Sequence, residues 1–184
     1  MSQQELGPKD VLAFWFGELT PEDWFRGGAD LDGKIARRFR ELHLSLAAGI
    51  GPAWRETPQA RLACIVALDQ FPRNIYRGTP LAFATDGLAR REARLALEAG
   101  AERQLGKDHC CFLYLPFEHS EDLADQDLSV ALFEALDDAN YHDYAVRHRD
   151  VIRRFGRFPH RNAILGRDST AEEQAYLQTP GAGF

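Results

Sequence analysis

The chain has 184 residues, of which 45% are hydrophobic and 27% charged, and its formal net charge is -6. These values are typical of one globular domain with its own core, and we expect a single helical domain over residues 1–184. The negative charge argues against general nucleic-acid binding. No apolar run approaches the ~20 residues that span a bilayer, and residues 1–10 contain no hydrophobic signal-peptide core. We therefore expect a cytoplasmic protein without membrane contact, whose oligomeric state the sequence does not predict.

The predicted elements are almost all helical. Residues 11–16 form a short aromatic helix. Leu31, Ile35, Phe39, Leu42 and Leu46 then recur at spacings of three and four, which is typical of a helix with one buried face. Gly49 ends that helix. The next helix begins at the cap pair Thr57–Pro58, is apolar from residue 62 to residue 68, and ends at Pro72.

The second half of the chain continues the helical pattern. A helix over residues 86–100 is followed by a short buried helix over residues 108–115, which we expect Pro116 to stop. Helices over residues 121–139 and 141–155 come next, and Ser169 and Thr170 introduce the last one. Helices of this length with short connections favour antiparallel hairpins, arranged as a solenoid or as an irregular bundle.

Charge is unevenly distributed along this half. Residues 108–146 contain ten acidic side chains and no lysine or arginine, whereas residues 147–167 contain seven arginines. An acidic segment followed by a basic one indicates that the two pair when the chain folds. The three cysteines show no metal-binding spacing, and we expect buried, reduced thiols.

Three helices carry a polar residue on an apolar face: Asp69, Gln126 and His148. Burying a polar side chain without partners costs about 1–3 kcal/mol, so we expect all three to be both buried and hydrogen-bonded. They either belong to a functional site or form a polar network that sets the helix register.

Polar side chains also follow three helix ends, over residues 69–74, 116–122 and 155–162. The first and third segments share Phe-Pro followed by Arg-Asn, and we expect all three segments to reach one pocket. The simplest interpretation is a site for a small anionic molecule or an acidic peptide segment, because arginine binds carboxylate and phosphate groups bidentately. Its predicted ligand-binding residues are Asp69, Gln70, Arg73, Asn74, Arg77, Glu121, Asp122, Gln126, Arg157, His160, Arg161 and Asn162.

Two alternatives remain open. An enzyme, for example a hydrolase, would use His119 or His148 as a general base with Glu118 beside it. A protein-interaction scaffold would use the same residues only to hold the fold. No Gly-rich phosphate loop, nucleophile elbow or dinucleotide motif is present, and the histidine spacing matches no metal motif. We therefore predict neither a cofactor nor a metal.

Five segments of the chain resemble the bacterial family called "domain of unknown function 924". They are VLAFWFG at 11–17, LDQFPRNIYRG at 68–78, AFATD at 82–86, FLYLPFEHSED at 112–122 and FGRFPHRN at 155–162. The likeness extends from about residue 11 to residue 177. It implies an all-α fold similar to the right-handed superhelix of tetratricopeptide repeats, although no consensus for that repeat is legible. It implies no activity, so the site prediction depends on residue chemistry alone.

Overall fold

In a computed structural model, which describes residues 6–183, the protein is helical. These residues form nine α-helices and no strand, which confirms the predicted all-α class. None of these helices has both the length and the hydrophobicity needed to cross a membrane. The helices are α1 (Pro8–Leu12), α2 (Pro21–Arg26), α3 (Ala29–Ala48), α4 (Pro58–Ile75), α5 (Asp86–Glu98), α6 (Lys107–Glu118), α7 (Leu123–Ala135), α8 (Ala139–Phe155) and α9 (Ala171–Leu177).

The described residues divide into two compact units. Unit 1 contains the chain up to Arg77 together with Leu81–Pro116, and unit 2 contains Gly78–Pro80 and the chain from Phe117 onward. The single domain over residues 1–184 stays a prediction, as does the arrangement of the helices into a tetratricopeptide-like superhelix.

The core of unit 1 surrounds α4, which packs against α1, α3 and α5. Thr57 caps α4 by accepting the Ala60 N–H at 3.1 Å, and Pro58 occupies the first helical position. All residues from 62 to 72 are buried, as the apolar run predicted. The predicted stripe on α3 supplies Ile35 and Phe39, and the Phe39 ring stacks on Phe71 at 4.6 Å.

Two prolines that we expected to end helices lie inside them: α4 continues beyond Pro72 to Ile75, and α6 continues beyond Pro116 to Glu118. A proline lacks an N–H, so the carbonyl group four residues earlier loses its helical partner. At Pro72 that carbonyl belongs to Leu68, and the Thr85 hydroxyl donates to it at 2.6 Å. A tertiary hydrogen bond thus replaces the helical one, which is why α4 does not end at Pro72.

Other boundaries also differ from the predicted ones. The aromatic segment at the start is α1 followed by a π-helical turn over Ala13–Glu18. The helix predicted for residues 121–139 is shorter, because α7 ends at Ala135 and Asp137 adopts a positive φ of 56°. Asp138 then begins α8 by accepting the backbone N–H groups of residues 140 and 141.

Unit 2 is built on the packing of α7 against α8. Its core includes Val151, Ile152 and Phe158, with Phe155 and Tyr176 packed against them. The helix α8 ends at Gly156, whose φ of 70° lies in the left-handed region that glycine adopts without strain. The chain then passes through a 3-10 turn over Pro159–Arg161 to α9.

Candidate functional site

The three polar residues predicted on apolar helix faces are all buried. Asp69, Gln126 and His148 expose 1%, 0% and 5% of their surface. Each is also hydrogen-bonded: Asp69 accepts from Gln70, Gln126 donates to backbone carbonyls, and His148 bonds to the Tyr144 carbonyl. The prediction of burial with hydrogen bonding is therefore confirmed.

In unit 1, the first Phe-Pro segment, residues 69–74, lies inside α4 and is not a turn. It places Arg73 between two carboxylates. Its guanidinium donates to both oxygens of Asp86, at 2.8 and 3.0 Å, and lies 3.4 Å from Asp69. Asp69 also accepts from the side-chain amide of Gln70 at 2.6 Å. Burial opposes the charge of Arg73, but Asp69 and Asp86 outweigh it and raise the pKa of the guanidinium. The cation is therefore neutralised within the fold.

Two further predicted residues near the end of α4, Asn74 and Arg77, share one carboxylate on α3. Arg77 donates to both oxygens of Asp32, at 2.6 and 2.8 Å, and the Asn74 amide donates to Asp32 at 2.9 Å. Burial works against ionisation of Asp32, yet these hydrogen bonds lower its pKa overall. The pair ties the end of α4 to the start of α3.

In unit 2, Gln126 closes the end of α6. Its Nε2 donates to the carbonyl oxygens of Glu118 and Ser120, both at 2.7 Å. These carbonyls follow the last full helical turn and lack intrahelical partners, so the amide acts as a cap. Among the described residues, Gln126 Oε1 and the hydroxyl of Ser129, one turn further along α7, have no hydrogen-bond partner although both are buried.

Asp122 caps the beginning of α7. Its carboxylate accepts the N–H groups of Ala124 and Asp125, at 2.8 and 3.3 Å. The Ser120 hydroxyl donates to the Asp125 carboxylate at 2.7 Å. This geometry is that of a helix N-cap, which fully accounts for an aspartate at this position.

Two polar side chains of the second Phe-Pro segment, which forms a turn over residues 156–162, are held by other side chains. Arg157 donates to both carboxylate oxygens of Glu173, at 2.7 and 2.9 Å, and this pairing, with the N–H of Thr170, lowers the pKa of Glu173 to about 2. Asn162 donates to Ser169 at 3.0 Å and accepts from Arg167 at 2.9 Å. These contacts fasten the turn to the start of α9.

Glu121 joins the end of α6 to the same turn. Arg167 donates to its two carboxylate oxygens at 2.7 and 2.9 Å, and the backbone N–H of Phe158 donates at 2.8 Å. Asp127 likewise accepts from Arg153 at 3.1 Å. Both pairs connect the acidic segment, residues 108–146, with the basic one, residues 147–167, which confirms their predicted pairing in unit 2.

The remaining predicted residues of unit 2 gather around one aromatic ring. The Arg161 guanidinium lies 4.5 Å from the centre of the Phe158 ring, and the rings of His148 and His160 lie 5.7 and 5.6 Å from it. Arg161 is buried, with 7% of its surface exposed. We call this group, which also includes two residues at the end of α6, the Phe158 cluster: Glu118, His119, His148, Phe158, His160 and Arg161.

His148 is the most thoroughly buried imidazole of the cluster. Its Nδ1 lies 2.8 Å from the Tyr144 carbonyl and 3.4 Å from a carboxylate oxygen of Glu118, which assigns the proton to Nδ1 and leaves the lone pair on Nε2. Burial lowers the pKa of His148, the hydrogen bond to the Tyr144 carbonyl opposes this, and the nearby His119, Arg161 and His160 add to it, so that the pKa is about 3. His148 is therefore uncharged at neutral pH.

His160 behaves in the same way. Burial, followed by the charge of Arg161, lowers the pKa of His160 to about 4, while Glu121 acts in the opposite direction. At neutral pH the cluster therefore combines one guanidinium, one buried carboxyl group and the uncharged imidazoles of His148 and His160. Within residues 6–183, no group of three or more His, Cys, Asp or Glu side chains is arranged to hold a metal ion.

The structure thus brings together two of the three predicted polar segments. The segment over residues 116–122 and the second Phe-Pro turn meet in unit 2, at Glu121 and at the Phe158 cluster. The first Phe-Pro segment belongs to unit 1, and the single pocket shared by all three segments stays a prediction. Sequence reasoning missed Phe158 as the central ring, and it missed Arg167 and Glu173 as charge partners. The uneven distribution of acidic and basic residues was the only feature of the sequence that predicted ion pairs here.

Comparison with known proteins gives a family but no activity. The family profile described as "Bacterial protein of unknown function (DUF924)" matches residues 11–181. A solved structure of a protein of unknown function from Agrobacterium tumefaciens is 42% identical, covers 93% of this chain and 96% of its own, and superposes with a TM-score of 0.88. No curated protein matches the chain. Because the profile spans nearly the whole chain, the protein belongs to the DUF924 family of bacterial proteins.

Proposed function

We propose that the protein binds a small anionic ligand, or the acidic part of a peptide, at the Phe158 cluster. The observation that carries this proposal is the position of Arg161, a buried guanidinium stacked on Phe158 among imidazoles. Guanidinium groups recognise carboxylate and phosphate bidentately, and a buried setting strengthens such hydrogen bonds. The neutral imidazoles of His148 and His160 add further hydrogen-bonding groups next to that cation.

The other three predicted arginines are poorly suited to bind an external anion. Arg73, Arg77 and Arg157 each hold a carboxylate of the protein through two hydrogen bonds. An external anion would have to displace that carboxylate and leave it without its counter-ion, which costs several kcal/mol when the carboxylate is buried. We therefore assign Arg73 and Arg77, together with Asp69, Gln70 and Asn74, a supporting role within unit 1.

The same chemistry couples ligand binding to proton uptake. An anion placed beside His148 and His160 favours their charged forms, so it raises pKa values that burial holds at about 3 and about 4. A proton that binds only in the complex makes the affinity rise as the pH falls. A dianion such as phosphate gains more from this effect than a monoanion such as acetate.

A thermal-shift titration with inorganic phosphate and with acetate tests the proposal. A ligand at ~100 times its Kd stabilises the native state by about 2.7 kcal/mol, which is readily measured as a rise in Tm. The rise should be present in the wild type and absent in Arg161→Gln. With acetate, whose charge is the same at pH 6 and pH 8, the rise should be larger at pH 6. Arg153→Gln, which removes a half-exposed arginine of α8, is the control and should keep the response.

Two outcomes would contradict the proposal: neither anion binds, or Arg161→Gln binds as well as Arg153→Gln does. If Arg161→Gln does not fold, Arg161→Lys retains the charge but loses the bidentate geometry. It should bind phosphate more weakly without losing the Phe158 contact.

A second candidate function is acid–base catalysis by His148, and one observation favours it. The Tyr144 carbonyl and Glu118 hold the Nδ1 proton, so Nε2 is the basic nitrogen, as in histidines that act as general bases. A pKa of about 3 makes a weak base at neutral pH, and an anionic substrate would have to raise it before the imidazole accepts a proton. Turnover of carboxylate or phosphate esters that is lost in both His148→Gln and Arg161→Gln would favour this alternative.

A further inference from the structure

The last described residues fold back over unit 2. After α9, the chain turns at Thr179, whose N–H donates to the Tyr176 carbonyl at 2.9 Å, and the Ala182 N–H donates to the Thr179 carbonyl at 3.2 Å. We call residues 179–183 the strap. Gly181 and Gly183 within it have φ angles of 78° and 93°, values that side-chain-bearing residues rarely adopt.

A side chain at either glycine would also crowd a neighbouring side chain. A Cβ on Gly181 would lie 3.1 Å from a guanidinium nitrogen of Arg147, and one on Gly183 would lie 3.2 Å from His160 Cβ. The strap therefore contacts the Arg147 side chain of α8 on one side and the His160 side chain of the 3-10 turn on the other. The positive φ angles favour glycine at both positions, and a Cβ there would push the neighbouring side chain by a few tenths of an ångström.

Between the strap and α8 lies a pocket of about 230 Å³, lined by Arg147, Asp150 and Val151 of α8, Tyr176 of α9, and the strap. Since a water molecule takes up about 30 Å³ of liquid, this is the space of roughly seven waters or one small organic molecule. Val151 and the Tyr176 ring belong to the core of unit 2, so part of the wall is apolar.

The charged groups of the pocket have opposite signs. Arg147 and Asp150 are three residues apart on α8 and so stand on the same face of the helix. Burial raises the pKa of Tyr176, and although Arg147 and Arg154 act in the opposite direction, the phenol keeps its proton at neutral pH. The Tyr176 oxygen is engaged by the Gly183 backbone, and Arg149 lies 3.8 Å from the Asp150 carboxylate. The lining residues of this small pocket thus include an arginine and an aspartate beside an apolar wall.

We infer that this pocket binds an amino acid, or a compact zwitterion like it, with an apolar side chain. The ligand carboxylate pairs with Arg147, its ammonium group pairs with Asp150, and its side chain contacts Val151 and Tyr176. The strap forms the outer wall, and Gly181 lets Arg147 keep its place against the backbone. This site is separate from the Phe158 cluster, and the inference does not depend on the proposed function.

Amide chemical shifts in an NMR titration test the inference with three related probes. L-leucine carries both charges, 4-methylpentanoate lacks the amine, and 3-methylbutylamine lacks the carboxylate. Leucine should shift the amide signals of Val151, Gly181 and Ala182 saturably, and each analogue should bind roughly tenfold more weakly, because one charge-assisted hydrogen bond is lost.

Two charge variants assign the contacts. Arg147→Gln should weaken leucine and 4-methylpentanoate but leave 3-methylbutylamine unchanged, and Asp150→Asn should weaken leucine and 3-methylbutylamine but leave 4-methylpentanoate unchanged. Gly181→Ala should also weaken leucine, because the new Cβ pushes the guanidinium aside. Gly166→Ala is its matched control: Gly166 has a similar φ of 66°, but a Cβ there would meet no atom within 4 Å, so leucine binding should be unchanged.

The inference is overturned if leucine produces no saturable shift at these amides, or if both charge variants bind leucine like the wild type. Binding of 4-methylpentanoate as tightly as leucine would overturn the zwitterion assignment. An equal loss of leucine binding in Gly166→Ala and Gly181→Ala would overturn the role given to the strap.

Discussion

Two largely buried arginines, Arg73 in unit 1 and Arg161 in unit 2, lie in different surroundings. In unit 1, Arg73 lies between Asp69 and Asp86, and each charge has a partner of opposite sign at hydrogen-bond or ion-pair distance. In the Phe158 cluster, Arg161 lies beside His148 and His160, two imidazoles that stay uncharged at neutral pH because burial lowers their pKa values. An ion pair stabilises a fold only while both partners remain, whereas a neutral imidazole can still gain a proton.

This difference separates a structural site from one suited to a ligand. The carboxylates around Arg73 already occupy the positions that an anion would take. Under the proposed function, an anion bound near Phe158 favours the charged forms of His148 and His160. Three variants test this contrast, and each is measured as a change in the free energy of unfolding.

Removing the Arg73 guanidinium of unit 1 should lower the free energy of unfolding more than the other two variants do. Arg73→Met leaves two largely buried carboxylates without their cation, and breaking a buried pair in this way costs about 3–5 kcal/mol. Urea denaturation at pH 7 measures the loss. Arg77→Gln is the control, because Arg77 is half exposed and its pair with Asp32 is worth only about 0.2–1 kcal/mol. Equal losses in the two variants would refute the structural role of Arg73.

The Phe158 cluster should instead affect how the free energy of unfolding depends on pH. His148 has a pKa of about 3 in the folded protein, below its ordinary value of 6.5, so the unfolded chain binds the proton more readily. The neutral His148 stabilises the folded protein fully above pH 6.5. This stabilisation is lost as the pH falls from there towards 3, and the free energy of unfolding then changes by at most about 1.4 kcal/mol per pH unit.

His148→Gln should therefore flatten the loss of stability between pH 6.5 and pH 4, measured by urea denaturation at several pH values. His160 and Glu121 continue to contribute, so the dependence should weaken and not vanish. His142→Gln, at a partly exposed position of the same helix, should leave the profile unchanged. A profile of His148→Gln that matches the wild type would mean that His148 is not held neutral by burial.

The smallest effect is expected at Ser129, and its sign is informative. The hydroxyl is fully buried and has no hydrogen-bond partner among the described residues, so Ser129→Ala removes a desolvation cost and should stabilise the protein by up to about 1 kcal/mol. Gln126→Leu, on the same face of α7, removes the cap of α6 and should destabilise it. Loss of stability in Ser129→Ala would show that the hydroxyl serves a bound water or ligand.

Much of the fold could be predicted from the sequence. The apolar stripe from Leu31 to Leu46 and the apolar run over residues 62–68 predict α3 and α4, because burial of an apolar face follows directly from residue spacing. The caps at Thr57 and Thr170 predict helix starts, because a cap is a contact between residues three positions apart. The burial of Asp69, Gln126 and His148 could be predicted for the same reason, from their position on an apolar face.

Only the tertiary structure decided which residues far apart in the chain contact each other. The hydrogen bond from Thr85 to the Leu68 carbonyl allows α4 to pass through Pro72, and no local rule contains it. The carboxylate that pairs with each arginine, such as Asp86 with Arg73 and Glu173 with Arg157, could likewise not be predicted from the sequence. Local spacing determines which face of a helix is buried, but the charge of a buried group depends on what the folded chain places next to it.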